Sequence, residues 1–348
     1  MQFHLNGFQA GDPEKKSTLN STNDPSTSRK LPDKADVLIV GCGPAGLTLA
    51  AQLSKFSDIN TVIVEKNDTR LLLGQADGVA CRTMEMFQAF GFSEKVVKEG
   101  YWVNETAFWK PDEKQPQNII RSSRIQDTED GLSEFPHMVL NQARVHDFYL
   151  DIMKKSNSGL EPDYSRKLIS VDIDSEKSSS DDFPITAKFQ KTSNNGSFET
   201  ETISAKYIVG CDGARSVVRN ELNLSLKGDS ANQAWGVMDV LAITDFPDVR
   251  LKAIIHSINE GNLLIIPREG GYLIRLYIEL DKLSENERIA NKNITSDHLI
   301  SAAKRIMHPY SIQIKEIVWW SVYEIGQRLC DKFDDVPKNN MASNFPKG

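Results

Sequence analysis

The chain has 348 residues, enough for a sizeable core in one or two domains, and a formal net charge of −7 at pH 7. Acids and bases are mixed along it, which argues against a nucleic-acid role, because such proteins present a basic face. No stretch approaches the ~20 apolar residues of a membrane span. The four cysteines, Cys42, Cys81, Cys211 and Cys330, are scattered, with neither a C-x-x-C pair nor zinc spacing. They predict a reducing, cytoplasmic setting without disulfides, and no metal centre.

The first nine residues are too short and polar for a secretory signal. Residues 11–34 are rich in Ser, Thr, Asn, Asp, Pro and Lys, so 1–34 is expected to be a disordered tail. The stretch that organises the rest follows. Residues 37–40 are a continuous apolar run, as a strand buried on both faces requires. Gly41, Gly43 and Gly46 then fit G-x-G-x-x-G. The first glycine permits a tight turn, the second lets the backbone approach a pyrophosphate, and the third lets helix and strand pack closely. A helix over about 45–56 aims its free N–H groups at that anion. A second apolar strand, 61–64, ends in Glu65. That carboxylate suits ribose hydroxyls and repels a 2′-phosphate, which favours FAD or NAD over NADP as the resident nucleotide.

Residues 71–78 read as a loop. Residues 81–90 have helical spacing, with Met84, Phe87 and Phe90 on one face and Gly91 as the stop. Residues 110–134 look polar and irregular. A short strand over 137–140 precedes a helix that turns Val145, Phe148, Tyr149, Ile152 and Met153 inward. His137 and His146 read as surface or satisfied side chains. Strands over 183–190 and 198–203 flank a Ser-Asn-Asn-Gly loop as a hairpin. Another strand, 206–210, runs into Asp212-Gly213 and a short helix. From 235 to 323 the pattern is mostly β, over 235–242, 263–267, 272–280 and 312–323, with one helix near 297–307. A β-rich block after such a start suggests a second, substrate-covering domain.

Four motifs stand in order: Gly41-Cys42-Gly43-Pro44-Ala45-Gly46, Gly74-Gln75-Ala76-Asp77-Gly78, Gly210-Cys211-Asp212-Gly213-Ala214-Arg215-Ser216, and Ile266-Pro267-Arg268-Glu269 followed by Arg275-Leu276-Tyr277. With Trp235-Gly236-Val237-Met238-Asp239, His308-Pro309-Tyr310 and Ile325-Gly326-Gln327-Arg328, this set resembles the FAD-dependent aromatic hydroxylases, specifically their phenol 2-monooxygenase branch. The resemblance implies an α/β fold: a Rossmann-type FAD-binding domain (35–104 and 135–230) and a β-rich substrate domain (105–134 and 231–326). It implies FAD held by Gly41, Gly43, Pro44, Ala45, Gly46, Glu65, Lys66, Gln75, Gln142, Asp212, Gly213 and Arg215. NADPH is the implied co-substrate, visiting the FAD site. The reaction implied is ortho-hydroxylation of a phenol with O2. Asp77 is the implied acid–base group, Tyr277 the hydrogen-bond partner of the substrate oxygen, and Arg268 a fixed cation near the phenolate.

The resemblance ends early. In that family an apolar strand, a Gly-Asp flavin motif and a thioredoxin-like dimerisation domain follow, and here residues 327–348 read as a truncated end. The expectation is an intact AMP cradle with an impaired isoalloxazine site, and a doubtful homodimer. Two alternatives stand beside the hydroxylase: a non-catalytic flavin-binding remnant, and an NAD-linked dehydrogenase using the first motif alone.

Overall fold

The computed structural model describes residues 3–4, 7–8, 29–74, 76–174, 183–192, 198–228, 230–280 and 294–335. The chain forms two compact units, each assembled from separated segments. The first comprises Gly11–Leu73, Ala143–Lys227 and Leu329–Gly348, and the second Met1–Ala10, Gly74–Gln142 and Gly228–Arg328. Residues 74–104 and 135–142, expected in the FAD-binding domain, thus fall in the second unit. There Gly78–Val79, His137–Val139 and Tyr101–Val103 build their own three-stranded sheet.

The first unit is built on a five-stranded mixed sheet in the order Arg166–Ile173, Ile185–Thr192, Phe198–Gly210, Lys34–Val40, Thr61–Val64. The last three strands run parallel. The Ile185–Thr192 and Phe198–Gly210 strands pair antiparallel as the expected hairpin; its loop lies outside the described residues. The two strands expected at 198–203 and 206–210 are one 13-residue strand. Its first half pairs antiparallel with Ile185–Thr192 and its second half parallel with Lys34–Val40, which is why the hydrophobic pattern changes along it. Leu38, Val40, Val62, Val64, Phe189, Ile203 and Ala205 form the core. Burial of each larger aliphatic or aromatic side chain contributes ~1.5–3 kcal/mol. The end of the expected tail is placed here: Leu31 is buried and Arg29 pairs with Asp163 at 2.8 Å. Near the other end, Leu329–Cys330 pairs with Leu226–Lys227.

The helix Gln142–Lys155 buries Val145, Phe148, Tyr149 and Met153 as its spacing predicts, while Ile152, also expected inward, is half-buried. It also buries His146 and Asp147. His146 Nε2 has no hydrogen-bond partner, so the expectation of a surface or satisfied histidine fails.

The second unit centres on a seven-stranded sheet: Ile312–Gly326, Ser230–Thr244, Leu273–Glu279, Asn262–Pro267, Lys252–His256, Glu105–Pro111, Ile119–Gln126. One face carries Met238, Val240, Ile255, Ile265, Leu276 and Ile278, and the helix Ser296–Ile306 closes it with Leu299, Ala303 and Ile306. That helix begins with a Thr295 capping box. Gly236 is required beneath it, because a Cβ there would lie 2.2 Å from Leu299 Cδ2. Part of the region read as irregular, 110–134, is the edge strand of this sheet. The strand Ile119–Gln126 exposes every residue after its first, so it carries no alternation to read.

Candidate functional site

In the first unit the three parallel strands end together, where α/β folds bind ligands. The Gly41 N–H donates to the Val64 carbonyl and the Cys211 N–H to the Val40 carbonyl. Gly41 has φ +106, and a Cβ on it would lie 2.4 Å from the Cys211 carbonyl oxygen. Only glycine tolerates both conditions. A Cβ on Gly46 would lie 2.0 Å from the Gly41 oxygen, whereas one on Gly43 would meet nothing within 4 Å. Gly41 and Gly46 therefore serve packing, and Gly43 faces open space. The helix Pro44–Leu53 starts at Gly43 without a side-chain cap, leaving first-turn N–H groups for an anion.

A cavity of about 350 Å³ opens at this turn, with Gly43, Glu65, Lys66, Asp212, Gly213 and Arg215 in its wall. Glu65 accepts hydrogen bonds from the backbone N–H groups of Cys42, at 2.9 Å, and Asn67, at 3.0 Å. It pins the glycine turn, and each of its oxygens keeps the capacity for a further hydrogen bond. Asp212 Oδ2 caps the helix Val217–Glu221, accepting from Val217 N at 2.6 Å. Asp212 Oδ1 is buried without a partner, an acceptor suited to a ligand hydroxyl. Arg215, Lys66, Pro44 and Ala45 are exposed. The glycine cradle, the uncapped helix end, the acceptor carboxylates and the exposed cations fit the adenosine and pyrophosphate half of a dinucleotide. Gln75 lies outside the described residues.

The second unit gathers Asp77, Arg268 and Tyr277, and adds Asp239, Glu269 and Arg275, which stand in the quoted motifs without an assigned role. Asp77, 3% exposed, has Oδ2 at 2.7 Å from both Arg268 Nη1 and Arg275 Nη2. No hydrogen bond to that oxygen is well aligned. Its Oδ1 accepts from the Gln142 backbone N–H at 2.9 Å. Asp239 takes both Arg275 Nε and Nη2 at 2.7 Å and also Arg268 Nη1 at 2.7 Å. Glu269 takes Arg268 Nε at 2.8 Å and Nη2 at 3.0 Å, and accepts from the Asn141 N–H at 2.8 Å. All five ionisable side chains are buried. Burial raises the Asp77 carboxyl above the usual carboxylate range, against the pull of Arg268 and Arg275. Burial also opposes the charge on Arg268, but Glu269, Asp77 and Asp239 outweigh it and keep the guanidinium protonated.

Arg268, the expected fixed cation near the phenolate, hydrogen-bonds Asp239 and Glu269 in the structure and stands at ion-pair distance from Asp77. Arg275 lies two residues before Tyr277 on one strand, hence on the same face. Its Nη1 is 3.5 Å from the Tyr277 hydroxyl, and its guanidinium covers the Trp319 ring at 5.4 Å. A usable signal existed: a lone Arg and a lone Asp inside the apolar runs Leu273–Glu279 and 235–242 are expected to pair across strands.

Near Gly78, Asp127 contacts His137 Nδ1 at 2.7 Å and pairs with Lys252 Nζ at 3.0 Å. Burial alone would raise its carboxyl, but His137 and Lys252 hold it below the usual range. Among the described residues no group of three or more His, Cys, Asp or Glu could hold a metal ion, and no helix is long and apolar enough to cross a membrane.

Comparison with known proteins agrees with this geometry. The FAD binding domain family matches residues 34–335. A 3-hydroxybenzoate 4-monooxygenase of Comamonas testosteroni is 57% identical over 336 residues, covering 97% of this chain and 52% of that protein. The phenol 2-monooxygenase fsqG of Aspergillus fumigatus is 33% identical, covering 86% of this chain and 48% of that protein. The chain therefore spans about half the length of these curated relatives. Among solved structures, p-nitrophenol 4-monooxygenase PnpA from Pseudomonas putida superposes with TM-score 0.67 at 18% identity, covering 86% of this chain and 70% of that one. A complex of aklavinone-11 hydroxylase with FAD and aklavinone gives 0.65 at 19%, covering 87% and 56%. These two establish the aromatic-hydroxylase fold. A glycine cradle shaped for a dinucleotide, matched nearly end to end by one family, leads to a single assignment: the chain belongs to the FAD binding domain family shared by aromatic flavin-dependent monooxygenases.

Proposed function

We propose that this chain carries the nucleotide cradle and the phenol-binding acids of a monooxygenase that hydroxylates a phenol ortho to its hydroxyl, using FAD, NADPH and O2. Its substrate is a hydroxybenzoate in preference to plain phenol. The observation that carries the reading is the buried Asp77 carboxylate with one oxygen not engaged in an aligned hydrogen bond, in the same unit as Tyr277. The relative at 57% identity acts on 3-hydroxybenzoate at carbon 4, the position next to the hydroxyl-bearing carbon. A benzoate carboxylate needs a cationic partner. Lys252, which pairs with Asp127, supplies one, and the His137 ring beside it offers a hydrogen bond.

Gly41, Gly43, Gly46, Glu65, Lys66, Asp212, Gly213 and Arg215 would hold the adenosine and pyrophosphate of FAD, and the Gln142 side chain is a candidate flavin contact. The flavin, when bound, supplies the reaction with O2. The chain's own residues bind the ring and manage one proton. A free phenol has a pKa of about 10, so the base must act at neutral pH. Asp77, raised by burial, is suited to accept the hydroxyl proton, while Tyr277 donates to the phenolate oxygen and Arg275 adds positive charge beside it. Arg268 fixes Asp77 from the other side.

The test compares 3-hydroxybenzoate with phenol as ligands of the purified chain, by titration calorimetry with FAD present. Tighter binding of 3-hydroxybenzoate, weakened about tenfold or more by Lys252→Met, supports the reading. Equal binding of both, untouched by Lys252→Met, refutes the hydroxybenzoate assignment. The non-catalytic remnant is favoured instead if ligands bind but NADPH oxidation yields no hydroxylated product.

A further inference from the structure

We infer that Asp239 is the positioning residue that sets the proton affinity of Asp77, by adding a third carboxylate to a buried cluster that holds only two guanidiniums. The inference rests on the reading of Asp77 as the base. Asp77, Asp239 and Glu269 face Arg268 and Arg275, so the cluster is one positive charge short. With only one other carboxylate present, Asp77 would be one of two acids matched to two arginines. Burial and Glu269 would then be opposed by two arginines freer to bond Asp77, leaving it a poorer proton acceptor. Asp239 prevents that. It engages two donors of Arg275 and one of Arg268 in aligned hydrogen bonds. Asp77 Oδ2 is left at ion-pair distance from both arginines without an aligned bond, the position a substrate O–H can occupy.

The groups facing Asp77 can be named element by element. The Asn262–Pro267 strand leads into Arg268 and Glu269, and Leu273–Glu279 presents Arg275 and Tyr277. Ser230–Thr244 presents Asp239, and Ile312–Gly326 covers Arg275 with Trp319. The Gln142 N–H closes the last side. Asp127, His137 and Lys252 form a separate group. The step itself is a proton transfer. The substrate O–H bond breaks, an O–H bond forms on Asp77, the electron pair stays on the phenolate oxygen, and nothing is oxidised or reduced.

Asp77 Oδ2 and Asp239 Oδ2 each lie 2.7 Å from Arg268 Nη1. They are therefore no more than ~5.4 Å apart, twice that contact, and at an effective dielectric constant of about 20 a unit charge at that range moves a carboxyl midpoint by about two pH units.

The experiment titrates Asp77 in the ligand-free full chain, by the infrared band of its protonated carboxyl, identified by its disappearance in Asp77→Asn. Asp239→Asn should lower the midpoint by about two pH units, and Asp239→Glu should restore most of it. Glu269→Gln, which removes a charge without touching Arg275, should also lower it and covers the case of a poorly folded Asp239 variant. An unmoved or raised midpoint in the folded Asp239→Asn chain, or no change in Glu269→Gln, overturns the inference. Because no ligand is present, the result stands apart from whether the chain binds phenols.

Discussion

Replacing His146 by leucine should make the chain's stability markedly less sensitive to acid. His146 is 3% exposed on the helix Gln142–Lys155. Burial, with Arg70 adding to it, pushes its imidazole down to about 4 from the ordinary 6.5. The neighbouring Asp147 cannot rescue the charged form, because it already pairs with Arg70 at 2.9 Å and lies 3.7 Å from Arg144. The folded state thus holds a neutral ring where the unfolded chain would protonate it. This contribution to stability is complete above about pH 6.5 and shrinks as the pH falls toward 4, where the folded ring also protonates. Each pH unit in that window removes up to about 1.4 kcal/mol, and the whole window about 3 kcal/mol. Urea unfolding followed by circular dichroism at closely spaced pH values between 4 and 7 would measure it. The wild-type free energy should fall more steeply than that of His146→Leu, by about 1 kcal/mol per pH unit. Parallel slopes for the two proteins would refute the assignment of a neutral, uncompensated histidine.

Asp77→Asn should cut kcat/KM for a phenolic substrate by about 10²–10⁴-fold while leaving FAD affinity unchanged, measured by product formation and flavin titration. Gly236→Ala should destabilise the chain by about 1–3 kcal/mol, because the new methyl group strikes Leu299. Leu299→Ala alone should cost about 2–5 kcal/mol, and the double variant should be more stable than the sum of the two, as a urea double-mutant cycle would reveal. Asp248 accepts from Trp109 Nε1 at 3.0 Å and from Arg121 at 2.6 and 2.7 Å. Asp248→Ala strands the indole N–H and should cost about 2–4 kcal/mol in the same assay.

The glycine turn was readable because its requirements are local. A positive φ, a close helix–strand contact and an apolar strand all leave marks within a few neighbouring residues. The helix at Cys81–Phe90 was readable from spacing and its end signal, Gly91 closing it with φ +84, and a helix was also expected where Ser296–Ile306 stands. Sheet edges were harder. Ile119–Gln126 shows no alternation because solvent covers both of its faces. Lys252–His256, an inner strand of five residues, and Arg166–Ile173, whose second half is at most half-buried, also went unread. The site was half legible. Asp77 and Tyr277 stood in recognisable motifs, but the partnership of Asp239 with Arg275 and Arg268 exists only after three strands are brought into register. Periodicity assigns each strand its faces without saying which residues will stand opposite one another.

The turn at Gly41 to Gly46 is expected to hold FAD through the shape of its backbone. The direct measurement is the visible absorbance of the purified chain after incubation with excess FAD and desalting, for the wild type and for Gly46→Ala. The wild type should retain a flavin spectrum near one flavin per chain. Gly46→Ala should bind at least tenfold more weakly, because the added methyl group would lie 2.0 Å from the Gly41 oxygen and must force the helix off the turn. A chain that retains no flavin, or a folded Gly46→Ala variant that retains it as well as the wild type, would contradict the claim.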